Sequence, residues 1–404
     1  MHDVNFIIRE PLLDPKQKIL GYELTWQAPD ATTVNPGPEE ASSLIAFAGD
    51  RLNDSEKGWL LTDSVLFFQA NDALLSDEIL SALPPKNTVL TVTPMHLGYS
   101  ATVDRAKALL AEGFGIALRE ADVSGKDAAL LPAVSHVELR FGAEDFPKQA
   151  KMYAALKQSS KKMVGRNISN WQEFDSCASL GVDAFVGNLY LTPRPGNQPK
   201  GLNPAQGMIL QLMDLVRKNT DVRKLEEILK RDAALSYKLL RYINSAGFGL
   251  GTEIQSLKHA VTMLGYTPLY RWLSVLLTVA NAGAQSPVLM QTAIVRGRFA
   301  ELLSKGFLPK AEAENLFVAG MFSLLDRLLG IPMEEVLENI QLPEPVTQAL
   351  LTREGMYGPF LSLAEACEQS NGAVGELADS LFISAAQVNE AHMAALAWAQ
   401  TLKL

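Results

Sequence analysis

Glu23 is the one acid inside "ILGYELTWQ" (residues 19–27), an apolar run with β-strand character. A carboxylate in that setting can bind a hard divalent cation, or it can be a buried acid that needs a counter-charge. A metal centre would require further ligands, and the obvious donors are missing. The five histidines, His2, His96, His136, His259 and His392, are scattered without ligand spacing, and His259 in "SLKHAVTMLG" reads as a structural side chain. Cys177 and Cys367 are too few and too far apart for a zinc site or a disulfide framework, and read as reduced structural thiols. Any partners of Glu23 must come from elsewhere in the chain.

The elements that would position such partners come in two kinds. Before residue 200 there are eight short apolar runs: "VNFIIRE" (4–10), "ILGYELTW" (19–26), "SVLFFQ" (64–69), "TVLTVT" (88–93), "FGIALR" (114–119), "HVELRF" (136–141), "KMVGR" (162–166) and "DAFVG" (183–187). Helix candidates lie between most of them. "SATVDRAKALLAEG" (100–113) and "NWQEFDSCASLG" (170–181) both end on a glycine suited to a left-handed C-cap. Strands alternating with helices predict a parallel sheet covered by helices, and this number of strands predicts an α/β barrel.

"TPRPGNQPKGLNPAQ" (192–206) is dense in Pro, Gly and Asn, which predicts a linker over 196–206 between domains at 1–195 and 207–404. Beyond it the spacing is helical throughout. Helix starts are expected at Ser286-Pro287, Ser362–Glu365 and Ser384–Gln387. The second domain is expected to be all-α.

Composition narrows the function classes. Apolar residues make up 48% of the 404 and charged residues 20%, which fits a soluble globular chain. A formal charge of −9 argues against nucleic-acid binding through a basic surface. "MHDVNFIIREPLLDPKQK" has no apolar signal region, and "WLSVLLTVANAG" (272–283) is too short to span a bilayer. The expectation is a cytoplasmic protein without membrane insertion.

Two stretches carry a family resemblance. "IIREPLLDPKQKILGYEL" resembles the opening of EAL domains, a Q-P-I-type strand followed by G-x-E-A-L, with "ELT" in place of E-A-L. "LEEILKRDAALSYKLLRYINSAGFGLGTEIQSLKHAVTMLG" (225–265) resembles the core signature of HDOD domains. The chain thus resembles the EAL–HDOD signalling proteins of bacteria. That resemblance implies an EAL-like TIM-type barrel followed by an all-helical HDOD domain.

Active EAL domains hydrolyse cyclic di-GMP with two divalent metals held by carboxylates at strand ends. On the resemblance, Glu23 takes the place of the motif's Glu and Gln69 that of a metal-binding Asn. The acids of E-x-x-E become Thr91 and Pro94. The Asp-Asp pair becomes Arg119 and Glu120, the strand Lys becomes Glu138, and the Asp after it becomes Arg140. Arg166 and Ser169 replace two further acids, and Val186 replaces a Gln. Three arginines where two dications would sit repel any metal. Glu23 and Glu120 then read as ion-pair partners for those arginines. The alternative is that the arginines form a new anion site.

HDOD domains resemble HD phosphohydrolases without their metal ligands. Ser323 and Leu324 of "AGMFSLLDRLLG" (319–330) stand where the adjacent His and Asp would be, and Asp326 is offset from them. Leu235, Leu239 and Ile243 form one helix face, with Lys238 and Arg241 off it. Asn244, Ser245 and Gly247 end that helix. Arg271, Arg296 and Arg298 are expected beside the former cleft, either on solvated faces or as the basic rim of a groove for an acidic partner segment.

The sequence thus predicts a catalytically inactive adaptor of the cyclic di-GMP network, with no cofactor, no metal and signalling proteins as partners. Homo-oligomers stay open. The alternatives are a cyclic di-GMP phosphodiesterase and a non-hydrolysing cyclic di-GMP receptor.

Overall fold

The computed structural model describes residues 5–28, 38–54, 61, 63–140, 146–195, 202–229, 231–244, 254–280, 287–338, 340, 342–369 and 372–402. They form two compact units. The first is Met1–Pro195 together with Ala366–Glu376 and Ser384–Ala386, and the second is Gly196–Glu365 with Leu377–Ile383 and Gln387–Leu404.

Unit one is a closed barrel whose strands follow chain order. They are β1 (Phe6–Leu13), β2 (Ile19–Gln27), β3 (Val65–Gln69), β4 (Thr88–Val92), β5 (Gly115–Leu118), β6 (His136–Arg140), β7 (Lys162–Arg166) and β8 (Ala184–Val186). Each apolar run of the sequence holds one of them. Strands β2 to β8 are parallel, but β1 runs antiparallel to both β2 and β8. The wholly parallel sheet expected from the sequence is corrected at this strand. The cause is local: Asp14 accepts from the Lys16 and Lys18 amides, both at 2.8 Å, and closes a tight turn. A parallel partner would need a crossover of about a dozen residues or more.

Strand alternation sends every second side chain inward. Leu12, Phe67, Val89, Ala117, Val164, Ala184 and Val186 pack as an apolar plug. Gly21 permits the close approach of β2 and β3, because a Cβ there would fall 1.8 Å from the Val65 carbonyl oxygen. Both predicted glycine caps are present, Gly113 at φ 104° and Gly181 at φ 93°.

A late segment of chain belongs to this unit. The Arg9 amide donates to the Cys367 carbonyl at 3.0 Å, its guanidinium to Glu368 at 3.4 Å, and the Asn188 side chain to the Glu368 carbonyl at 2.8 Å.

Unit two is helical. Its first helix, Pro204–Arg217, begins inside the stretch read as linker, with Asn203 and Gln206 forming a capping box; residues 196–201 lie outside the described residues. Helix Ala233–Ile243 buries Leu235, Leu239 and Ile243 and exposes Lys238 and Arg241. Asn244 then clamps Ile254: its amide donates to the Ile254 carbonyl at 2.8 Å, and its oxygen accepts from the Ile254 amide at 2.7 Å. That accounts structurally for the asparagine of the signature, while Ser245 and Gly247 lie outside the described residues.

Helix Pro287–Leu303 opens on the predicted proline, the expected cap Ser286 lying outside the described residues, and helix Ala385–Thr401 starts directly after Ser384. Ser362 is not a helix start. It lies within helix Gly358–Ala366, which already begins at Gly358. Among the described residues, no helix is long and apolar enough to cross a membrane.

Candidate functional site

The inward positions at the C-terminal end of the barrel carry charge. Glu23 on β2, Arg119 after β5, Glu138 on β6 and Arg166 on β7 converge, with Glu10 of β1 paired in register with Glu23. Arg119 donates to Glu23 at 2.7 Å and to Glu138 at 2.6 and 3.1 Å. Arg166 donates to Glu138 at 3.0 and 3.2 Å and also to Glu23, and its remaining nitrogen lies 4.0 Å from Glu10. Glu23 and Glu138 are fully sequestered, with side chains 1% exposed.

Burial opposes ionisation of Glu23, but Arg166 and Arg119 outweigh it and hold its pKa below the ordinary value. Burial likewise opposes the charge on Arg119, and Glu23 and Glu138 reverse that effect and raise its pKa. The set contains three glutamates against two arginines. Glu10 carries the surplus: burial and then Glu23 raise its pKa, and the two arginines offset this only in part.

The remaining relic positions do not join the cluster. Glu120 and Arg140 pair with each other at 2.7 Å on the surface. Ser169 bonds Glu173 through its amide and hydroxyl, at the start of helix Trp171–Leu180. Gln69 and Val186 end their strands, and Pro94 follows β4, its carbonyl accepting from the Leu97 amide. Thr91 is buried and its hydroxyl has no hydrogen-bond partner.

A two-metal centre does not fit these residues. Glu23 and Glu138 are saturated by guanidinium donors, and at the positions of the acids that would complete two coordination shells stand Thr91, Pro94 and two arginines. Among the described residues no group of three or more His, Cys, Asp or Glu side chains is arranged to hold a metal ion.

The helical unit repeats the pattern. Ser323, at the place of the phosphohydrolase His, is buried and accepts from Arg296 at 2.8 Å. Arg296 also donates to Glu365 at 2.8 Å, and Glu365 accepts from Arg353 twice at 3.0 Å. Asp326 lies beside Arg327 at 3.2 Å. Arg271 forms a double hydrogen bond to Glu301 at 2.6 and 2.8 Å and stacks 3.7 Å from the Phe317 ring centroid. Arg298 shares Glu301 at 2.8 Å and lies 5.5 Å from the Trp398 ring.

The basic rim expected of Arg271, Arg296 and Arg298 is therefore corrected. Arg296 is only 2% exposed, and the charge of all three is met by Glu301 or Glu365. Sequence reasoning singled out the arginines but missed Glu301 and Glu365. Glu365 had been read as half of a helix-start motif, which hid its role.

Comparison with known proteins agrees with this division. The HDOD domain family matches residues 202–337. The chain is 23% identical to the uncharacterized protein YuxH of Bacillus subtilis, over 98% of each chain. It is 24% identical to the cyclic di-GMP phosphodiesterase CdgJ of Vibrio cholerae, over 91% of this chain and 85% of that one. An EAL domain protein from Listeria monocytogenes is a structural neighbour, with 14% identity and a TM-score of 0.38, covering 46% of this chain and 87% of its own. The HDOD domain family thus matches the helical part of the chain, C-terminal to an eight-stranded barrel.

Proposed function

We propose that this protein is a catalytically inactive signalling adaptor of the cyclic di-GMP network, acting through protein–protein interaction. Its similarity to CdgJ, named a cyclic di-GMP phosphodiesterase, supports the network. One observation carries the inactivity: Arg119 and Arg166 donate to Glu23 and Glu138 at the strand ends where a hydrolase would hold its metals. The positive charge that metals would bring is supplied by the chain, so no water is activated there. What is left to act with is surface, and folded platforms of this kind work by binding other proteins.

Affinity capture of the intact protein from its own cytoplasm, with and without added cyclic di-GMP, tests this role. The adaptor reading expects a protein captured in fixed proportion whether or not the nucleotide is present. Capture that depends on the nucleotide, together with saturable calorimetric binding of it, replaces the adaptor with the receptor.

A further inference from the structure

At the end of the barrel opposite the charge cluster, beyond the apolar plug, a recess of about 410 Å³ opens among the first residues of β3 to β7. His136 and Lys162 face it from strand positions two residues before the inward-facing Glu138 and Val164. Lys86 and Lys161 stand at its edge, and Leu110 and Phe114 give it an apolar wall. No carboxylate is among the described residues that line it. In a chain of net charge −9, whose interior arginines are met by glutamates, that is an unusual concentration of unbalanced cations.

The polar groups differ in how far they are committed. Lys161 donates to the Val134 carbonyl at 2.7 Å. Lys86 and Lys162 form no ion pair among the described residues. The Ser135 hydroxyl lies 2.8 Å from His136 Nδ1, and it receives the Ile116 amide and reaches the Ile116 carbonyl at 3.1 Å. Phe67 meets the imidazole edge-on, with centroids 5.6 Å apart. This fixes the ring, and among the described residues Nε2 has no hydrogen-bond partner. Burial and the neighbouring Lys162 push the His136 pKa down to about 4. An anion seated beside it would offset the charge of Lys162, oppose the effect of burial and draw a proton onto the ring.

We propose that this recess binds a small organic phosphate, with the phosphate held by Lys86, Lys162 and the protonated His136 and the organic part against Leu110 and Phe114. Ammonium groups without carboxylate partners suit a phosphate dianion as point charges. The volume exceeds that of bare phosphate and falls within the usual range for small-ligand pockets. The inference is independent of whether the opposite end of the barrel has any activity.

Proton NMR of the full chain tests it, with the His136 signal assigned by loss in His136→Gln. Phenyl phosphate is the probe, inorganic phosphate the comparison, and ionic strength is held constant with chloride. Saturable movement of the His136 signal is expected, with its apparent pKa raised by about three units, so that the bound ring is protonated near neutral pH. Lys86→Ala/Lys162→Ala, at two exposed positions, should weaken binding by roughly tenfold or more while leaving the circular dichroism spectrum unchanged. Absence of saturation, equal movement of all five histidines, or an unaltered response in the double variant overturns the site. Equal affinity for inorganic phosphate overturns the apolar wall's part in it.

Discussion

Truncating Glu23 to alanine leaves the Arg119 and Arg166 guanidiniums facing Glu138 and the more distant Glu10 in a site almost closed to water. Breaking a buried ion pair from one side costs about 3–5 kcal/mol, because the surviving charge stays desolvated. Chemical denaturation of Glu23→Ala should show a loss of that order, whereas an exposed metal ligand would be removed at little cost. Glu10 behaves oppositely. Its raised pKa makes its ionisation a destabilising load that appears as pH rises above the ordinary value of 4.5. The lowered pKa of Glu23 gives stability that is present above 4.5 and lost as pH falls through its folded value. Glu10→Gln should therefore raise the melting temperature at pH 7, by roughly 2 °C, with the gain vanishing in acid. A variant equally stabilised at pH 3 and pH 7 would show that Glu10 is not the surplus charge.

Helices Pro287–Leu303 and Lys310–Phe322 cross at two glycines, where a Cβ on Gly320 would lie 2.6 Å from the Gly297 Cα. That contact holds the first helix against the second and places Arg296 over Ser323. Gly320→Ala should cost about 1–3 kcal/mol by forcing the helices apart. Thermal unfolding of the variant measures it, and an unchanged melting temperature would mean the crossing is looser than described. At this scale the sequence was readable in part. Short apolar runs located all eight strands, because strands buried on both faces are written locally as nearly continuous apolar stretches. The antiparallel β1 was also written locally, in the short turn "DPKQK", and was passed over. The start of helix Pro204–Arg217 was obscured because Asn and Pro serve caps and linkers alike. The partners of the arginines were not readable: nothing near Arg296 in sequence points to Glu365, and only the fold brings them together.

Across the whole molecule, the barrel unit is not one stretch of chain. Arg9 is 3% exposed and its carboxylate partner, Glu368, comes from Ala366–Glu376. A chain truncated after Pro195 loses the Glu368 partner of Arg9 and the hydrogen bond from the Arg9 amide to Cys367, so it should be less stable than the barrel within the full protein. Hydrogen exchange of β1 amides in the two chains reads this directly, and equal protection would argue that the late segment adds nothing. The proposed function rests on the same long-range pairing, since the chain itself supplies arginine–glutamate clusters around Glu23 and around Arg296. The most direct test is turnover of cyclic di-GMP by the purified full-length protein with saturating Mg²⁺ or Mn²⁺. Ion pairs in place of metals predict hydrolysis no faster than buffer, with or without Glu23. Metal-dependent turnover that Glu23→Ala abolishes would contradict the account.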